Sequence, residues 1–389
     1  METHDRESSG SQQPFDFKSH YTSNLPSILS LLGVTLAVTS YQAHRLILLR
    51  TVKGKLDTNL IAFPRPMGIY ADKNRITIGT LNQVINFQRG DMSLKSVKSG
   101  YLDSLETLPA KLQTPEMTSQ LQQRAAQINA IKQADSLFTQ RAALSSGMIN
   151  IHDIAWGNEG LWVVNSAFSC ISKLNPDYSF VACWQPPFIS ELVPEDRCHL
   201  NGMALLAGEP RYVTTFNQAN QKDAWRTFEQ LDGTLIDIKT NKILKTGLIM
   251  PHSPRCYQGL VYYCESGRGE IQSYNPSNGE TKVLCVLPGF TRGMIFFGDL
   301  LIVATSKIRA SKHRNKIPLD EQLGAENSRC GVWLIDVKSG EIIASVEFTG
   351  DVQQLYDIAV IPNTLVPEII QSSDSLASHL FEFYQESMT

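Results

Sequence analysis

The sequence predicts an all-β fold: a six-bladed β-propeller closed by its N- and C-terminal strands, with an amphipathic helix inserted near 115–140. Three observations carry that reading. A small-residue-plus-apolar run recurs along the chain, as Pro66-Met67-Gly68-Ile69, Asp153-Ile154-Ala155-Trp156, Gly202-Met203-Ala204-Leu205, Gly293-Met294-Ile295-Phe296 and Asp357-Ile358-Ala359-Val360, with a weaker copy at Pro254-Arg255-Cys256-Tyr257. Each run follows a polar residue, namely Arg65, His152, Asn201, Ser253, Arg292 and Tyr356, in steps of 87, 49, 52, 39 and 64. Most of those steps are close to the length of one four-stranded blade. Finally, short apolar strands separated by turn residues fill the space between the runs.

The elements follow in order. Residues 1–24 are polar and read as a flexible tail. A short helix is expected from Leu25 to Leu32, then a hairpin of Val34–Thr39 and Arg45–Arg50. The run at Pro66 opens a blade that continues through 75–79 and 83–88. There the pattern breaks at Thr114-Pro115-Glu116, which combines an N-cap hydroxyl, a proline at the first helical position and an acid in the first turn. Met117, Leu121, Ala125, Ile128 and Ile131 follow at helical spacing, so an insertion is expected over about 105–145. It reads as a surface helix packed on the blades, with a lid or a contact between copies of the chain as the sharper alternative. Regular blades then run from His152 to Phe348, and the last strand, 356–361, is expected to pair with the N-terminal hairpin. The propeller thus spans 25–362, and 363–389 is expected to be a helical or loosely packed tail.

Composition narrows the function. A net charge of −3 and pI near 6.3 argue against nucleic-acid and anionic-membrane partners. The apolar stretch from Leu25 to Val38 is too short to span a bilayer. Seven cysteines at 170, 183, 198, 256, 264, 285 and 330, never as CxxC, suit a reducing compartment, so a cytoplasmic protein is expected. The sequence holds no P-loop, GxGxxG, GxSxG or HExxH.

In a propeller, the residues that open each innermost strand form a ring at one mouth of the central channel. Here that ring contains His152, His199 and His252, which are 47 and 53 residues apart. Three neutral imidazoles on a channel suit a divalent transition metal such as Zn, Fe, Mn, Ni or Cu, with an open position for chemistry. Capping and hydrogen bonding are the plainer role for each histidine alone. On the metal reading, Tyr356, Asp153 and Asp357 are the candidate acid, base or orienting groups. Arg65, Asn201, Ser253, Arg255 and Arg292 are the candidate substrate contacts. The expected function is a metal-dependent enzyme acting on a small or peptide-like substrate by lyase, hydrolase or oxidative chemistry; the alternative is a non-catalytic propeller that binds a small ligand or a protein. The basic stretch Lys307–Arg314 and the wall Trp184-Gln185-Pro186-Pro187-Phe188 are further candidates for the mouth.

Several stretches also carry a family resemblance: Val38-Thr39-Ser40-Tyr41-Gln42-Ala43, Ile151-His152-Asp153-Ile154-Ala155, Glu195-Asp196-Arg197-Cys198-His199-Leu200-Asn201-Gly202, Met250-Pro251-His252-Ser253-Pro254-Arg255 and Leu355-Tyr356-Asp357-Ile358-Ala359-Val360. From about Leu25 to Pro362 the chain resembles a bacterial family of conserved hypothetical proteins carrying a domain of unknown function. The resemblance implies a six-bladed propeller and no particular activity. The helix near 115–140 departs from that family's shorter connection.

Overall fold

Six antiparallel sheets stand around one axis in the computed structural model, which describes residues 14–103, 114–226, 231–309 and 317–384. Their innermost strands are Ile69–Ala71, Ile151–Gly157, Leu200–Leu206, Pro251–Tyr257, Phe290–Phe297 and Ile358–Pro362. Each touches the next, and the last touches the first, which makes the ring.

Period-2 alternation explains why the sheets stack. In Val34–Ser40 and Arg45–Val52, Leu36, Val38, Ile47 and Leu49 point to the sheet on one side. Ala37, Leu46 and Leu48 point to the sheet on the other. The same alternation in each blade gives an apolar cluster between every pair of neighbouring sheets. At two of the places where the inner strands converge there is no room for side chains. A Cβ on Gly202 would lie 2.4 Å from Pro254 Cδ, and one on Gly293 would lie 2.5 Å from Asp357 Cα. That close approach is the physical cause of the recurring small-residue run.

Closure is as the sequence predicts. Ile358–Pro362 pairs antiparallel with Val34–Ser40, which pairs with Arg45–Val52, and Lys55–Ala62 completes the blade. The helix Leu25–Leu32 buries Leu25 and Leu29 against it.

Three elements differ from expectation. The expected helix ends sooner, at Pro115–Gln133, a further helix precedes it at Asp91–Lys98, and Ser136–Ser145 returns as the fourth strand of its blade, while 104–113 lie outside the described residues. Thr114 caps the second helix, accepting a hydrogen bond from Met117 N at 3.2 Å. Ile128 and Ile131 of that helix pack beside Leu94 and Val97 of the first, so this face is spent on the fold. The C-terminal segment is not loose: Pro367–Ile370 adds a parallel fifth strand beside Ser136–Ser145, and Leu376 and Leu380 join the helical cluster. Arg50 ties it down further, with Nη1 2.8 Å from Glu368 Oε1. Nor is the whole N-terminal tail free, because Ser19–Tyr21 adds a strand to Ile342–Phe348. Residues 1–13 lie outside the described residues. Both additions cover sheet edges that would otherwise be exposed.

Truncation separates ring from trimmings. A chain lacking residues 1–50 should fail to give a cooperative melt, because the closing blade loses two of its strands. Ending the chain at 362 should keep a cooperative melt but lower its midpoint and open 91–133 to limited proteolysis, since the cover over Val97 and Ile131 is gone.

Candidate functional site

The mouth is built by a repeated irregularity. In four consecutive blades the register of the innermost strand slips near its start: at Ile151–Ile154, Leu200–Gly202, His252–Arg255 and Thr291–Met294. A bulge of this kind bends the strand and re-aims the side chains within it. His152 and Asp153 occupy the first, Asn201 the second, Ser253 and Pro254 the third, and Arg292 and Gly293 the fourth. Left-handed backbone at non-glycine positions accompanies the bulges, at Arg65, Asn150, His199, Met250 and Ser253. Such conformations cost of order 1 kcal/mol each and cluster where geometry has a purpose.

Two of those strained residues aim carbonyls at histidines. His152 Nδ1 donates to the Asn150 carbonyl at 2.8 Å and faces Ser166 Oγ at 2.7 Å. His252 Nδ1 donates to the Met250 carbonyl at 3.0 Å and faces Ser266 Oγ at 2.8 Å. A carbonyl can only accept, so both rings carry their proton on Nδ1 and leave Nε2 bare in the neutral form. Burial, reinforced by His199, lowers the His152 pKa to about 3. Burial and then Arg292 push His252 well below its ordinary range. His199 is held differently, with Nδ1 2.9 Å from Asp196 Oδ2 and its ring stacked on Trp225 at 3.8 Å. Burial alone would raise Asp196; His199, His152 and the Trp225 Nε1–H together hold it below the usual carboxylate range.

A cavity of about 180 Å³ opens here, and among its lining residues are His152, His199, Arg65, Arg292, Arg309 and Tyr356. The His152 ring lies 4.7 Å from that of His199 and 5.5 Å from that of Tyr356. Phe216, Trp225 and Phe290 make the apolar wall. Burial pushes the Tyr356 hydroxyl well above its ordinary range, against the opposing pull of Arg292, so it stays a neutral donor. Lys307 and Arg309 of the basic stretch reach this cavity, whereas 310–316 lie outside the described residues.

Arg292 is the unusual member. Its Nη1 donates to His252 Nε2 at 2.9 Å, its guanidinium lies over Phe290 and Tyr356, and its Nε, shielded from solvent, has no hydrogen-bond partner among the described residues. Among the described residues no carboxylate lies within ion-pair distance of it, and burial lowers its pKa. The same hydrogen bond occupies the His252 Nε2 lone pair. Among the described residues no set of three His, Cys, Asp or Glu side chains is arranged to hold a metal ion.

The remaining expected site residues lie elsewhere. Asp153, Asp357 and Arg255 sit beneath the mouth, across the channel. Arg255 donates to Asp153 Oδ2 at 2.8 Å and to the carbonyls of Met203, Pro254 and Met294, with Asp357 Oδ1 3.9 Å away. The carboxylates also accept backbone amides, Asp153 from Met203 and Asp357 from Ile69. Burial, and then Asp153, raises Asp357 above its ordinary range. With their oxygens so engaged, these carboxylates brace the ring and do not line the cavity. Asn201 accepts from Thr214 and donates to the His199 carbonyl, and Ser253 stays within its bulge; neither lines the cavity. Trp184 lies on the outermost strand of its blade, bonded to Asn241, far from the expected wall.

The sequence argument did not reach Asp196, Phe216, Trp225 or Phe290, which come from loops and strand ends without a periodic place. Ser166 and Ser266 were missed as well, although each falls 14 residues after its histidine and that spacing could have marked them.

Fold and site together define a six-bladed propeller with a cationic, aromatic-walled mouth. The chain belongs to the family described as Domain of unknown function (DUF4915), whose model matches residues 23–370. No curated protein matches it. Among solved structures, it is similar to a chain of the "Crystal structure of Nidogen/Laminin Complex", at 8% identity and a TM-score of 0.49, covering 85% of this chain and 98% of that one. No helix among the described residues is long and apolar enough to cross a membrane.

Two outcomes test this geometry. Because the folded pKa of His152 is lowered, the unfolded chain binds the extra proton, and stability should fall as pH drops from about 6.5 toward 3. The slope per imidazole is about 1.4 kcal/mol per pH unit. Denaturant melts between pH 7 and 5 should show a shallower loss for His152→Gln. Separately, Arg255→Met leaves two buried carboxylates uncompensated and should destabilise the fold by about 3–5 kcal/mol, read from the same melts at pH 7.

Proposed function

We propose that the channel mouth binds a small organic anion and that Arg292 is its anchor. One observation carries this: a guanidinium in a partly buried pocket, held by an imidazole and two aromatic faces, with no carboxylate at ion-pair distance and no partner for its shielded Nε among the described residues. An uncompensated buried charge is costly, and a carboxylate or phosphate entering the cavity would supply the missing partner. Arg65, Lys307 and Arg309 also have no ion pair among the described residues and strengthen the attraction. The channel below is spanned by Arg255, which favours a ligand entering and leaving by one mouth. The scattered thiols, Cys183 exposed among them, support a reducing, cytoplasmic setting for such a ligand.

A second reading keeps the metal-dependent enzyme. All three histidines have Nδ1 engaged by a carbonyl or carboxylate, the way metal-ligating imidazoles are commonly oriented. It requires Arg292 to leave His252.

Calorimetric titration with malate, succinate and inorganic phosphate at low salt should give saturable binding by at least one of them. Arg292→Gln should weaken it about 10–100-fold, the equivalent of about 1.5–3 kcal/mol for a charge-assisted hydrogen bond, with little change in melting temperature. No saturable binding by any anion overturns the anion reading. Near-stoichiometric metal in protein purified without a histidine tag, lost on replacing any one of the three histidines, would put the enzyme in its place.

A further inference from the structure

The anion reading leaves open what else the ligand carries, and the pocket's hydrogen-bonding inventory answers that. Donors crowd the mouth: Arg65, Arg292, Lys307, Arg309 and the Tyr356 hydroxyl. Acceptors are scarce, and most are already used. Both Asp196 oxygens face His199, and one also takes the Trp225 Nε1–H. Gln354 Oε1 accepts from both Tyr41 and Arg309. The Asn150 carbonyl is held by His152.

His152 Nε2 is different. Its ring cannot flip its proton inward, because Nδ1 is bound to an acceptor-only carbonyl, and Ser166 spends its own hydrogen on the Leu200 carbonyl. No described residue donates to Nε2. His152 is 8% exposed and lines the cavity. It therefore presents a lone pair that asks for a donor. Both groups lie near one residue: the Tyr356 ring is 5.5 Å from the His152 ring and 5.7 Å from the Arg292 guanidinium carbon. A compact ligand resting on Tyr356 reaches both.

We infer that the ligand is a hydroxylated acid, with its carboxylate or phosphate on Arg292 and a neighbouring hydroxyl donating to His152 Nε2. This rests on the anion reading and sharpens it. An acid lacking the hydroxyl would desolvate Nε2 without satisfying it, which is how a polar pocket rejects an analogue that has lost one group.

Matched pairs test it on the full-length protein: malate against succinate, lactate against propionate, and glycerol 3-phosphate against propyl phosphate. In at least one pair the hydroxylated member should bind tenfold or more tightly than its partner. His152→Phe should erase that preference while keeping anion binding. In case that variant does not fold, long-range proton–nitrogen spectra of the wild type give an independent measure. His152 Nε2 should resonate as an unprotonated nitrogen at pH 7 and shift on adding the preferred hydroxy acid but not its partner. Anions that bind with no preference in any pair, or a protonated Nε2, overturn the inference and leave the anion reading standing. An absence of all binding overturns both.

Discussion

One guanidinium, Arg255, holds the centre of this propeller. It contacts Asp153, Met203, Met294 and Asp357 as well as its own Pro254, so it reaches five of the six blades. Asp357 extends the connection to the sixth through the Ile69 amide. Burial would lower the pKa of such a group, but Asp153 and Asp357 reverse that and raise it. Neutralising charges keep it there: two carboxylates against one cation, with backbone amides sharing the surplus. Sheets that meet only through apolar side chains can slide past one another; a charge cluster with fixed partners sets how the inner strands align. The same residue spans the channel below the mouth, with contacts on five blades.

The contrast with Arg292 is the basis for reading function here. The two arginines occupy adjacent inner strands, Arg292 near the start of one and Arg255 past the middle of the other, and both are largely withdrawn from water. Arg255 is surrounded by acceptors. Arg292 has one imidazole nitrogen and two ring faces, which satisfy only part of its five donors. A fold that can supply carboxylates for one buried guanidinium gains nothing by leaving another short of them unless something else completes it.

The architecture was legible in the sequence because its cause recurs. At two of the places where inner strands converge a side chain has no space, so Gly202 and Gly293 stand at corresponding places and help the repeat show through. What recurs once per blade can be read, and His152 and His252 belong to that class, with their serines 14 residues on. What occurs once cannot. The parallel pairing of Pro367–Ile370 with Ser136–Ser145 joins segments more than 200 residues apart and has no local signature. Asp196 and Trp225 reach the mouth from two separate connections, one before Leu200–Leu206 and one after Glu209–Thr215. The histidines were therefore visible as a set, but their chemistry depended on partners that the repeat does not encode.

Those partners change what the set can do. Two imidazoles with unprotonated Nε2 atoms and a third close by would suit an ion, yet each is placed against something different: Tyr356 beside His152, Trp225 stacked on His199, Arg292 bonded to His252. Equivalence in sequence has become asymmetry in space. An ion needs the three nitrogens to converge, and in this arrangement they are divided among an acceptor, a stacking face and a cation's support. Such a division is what recognition of an organic molecule requires, since its charged end, its hydroxyl and its carbon frame each need a separate kind of contact.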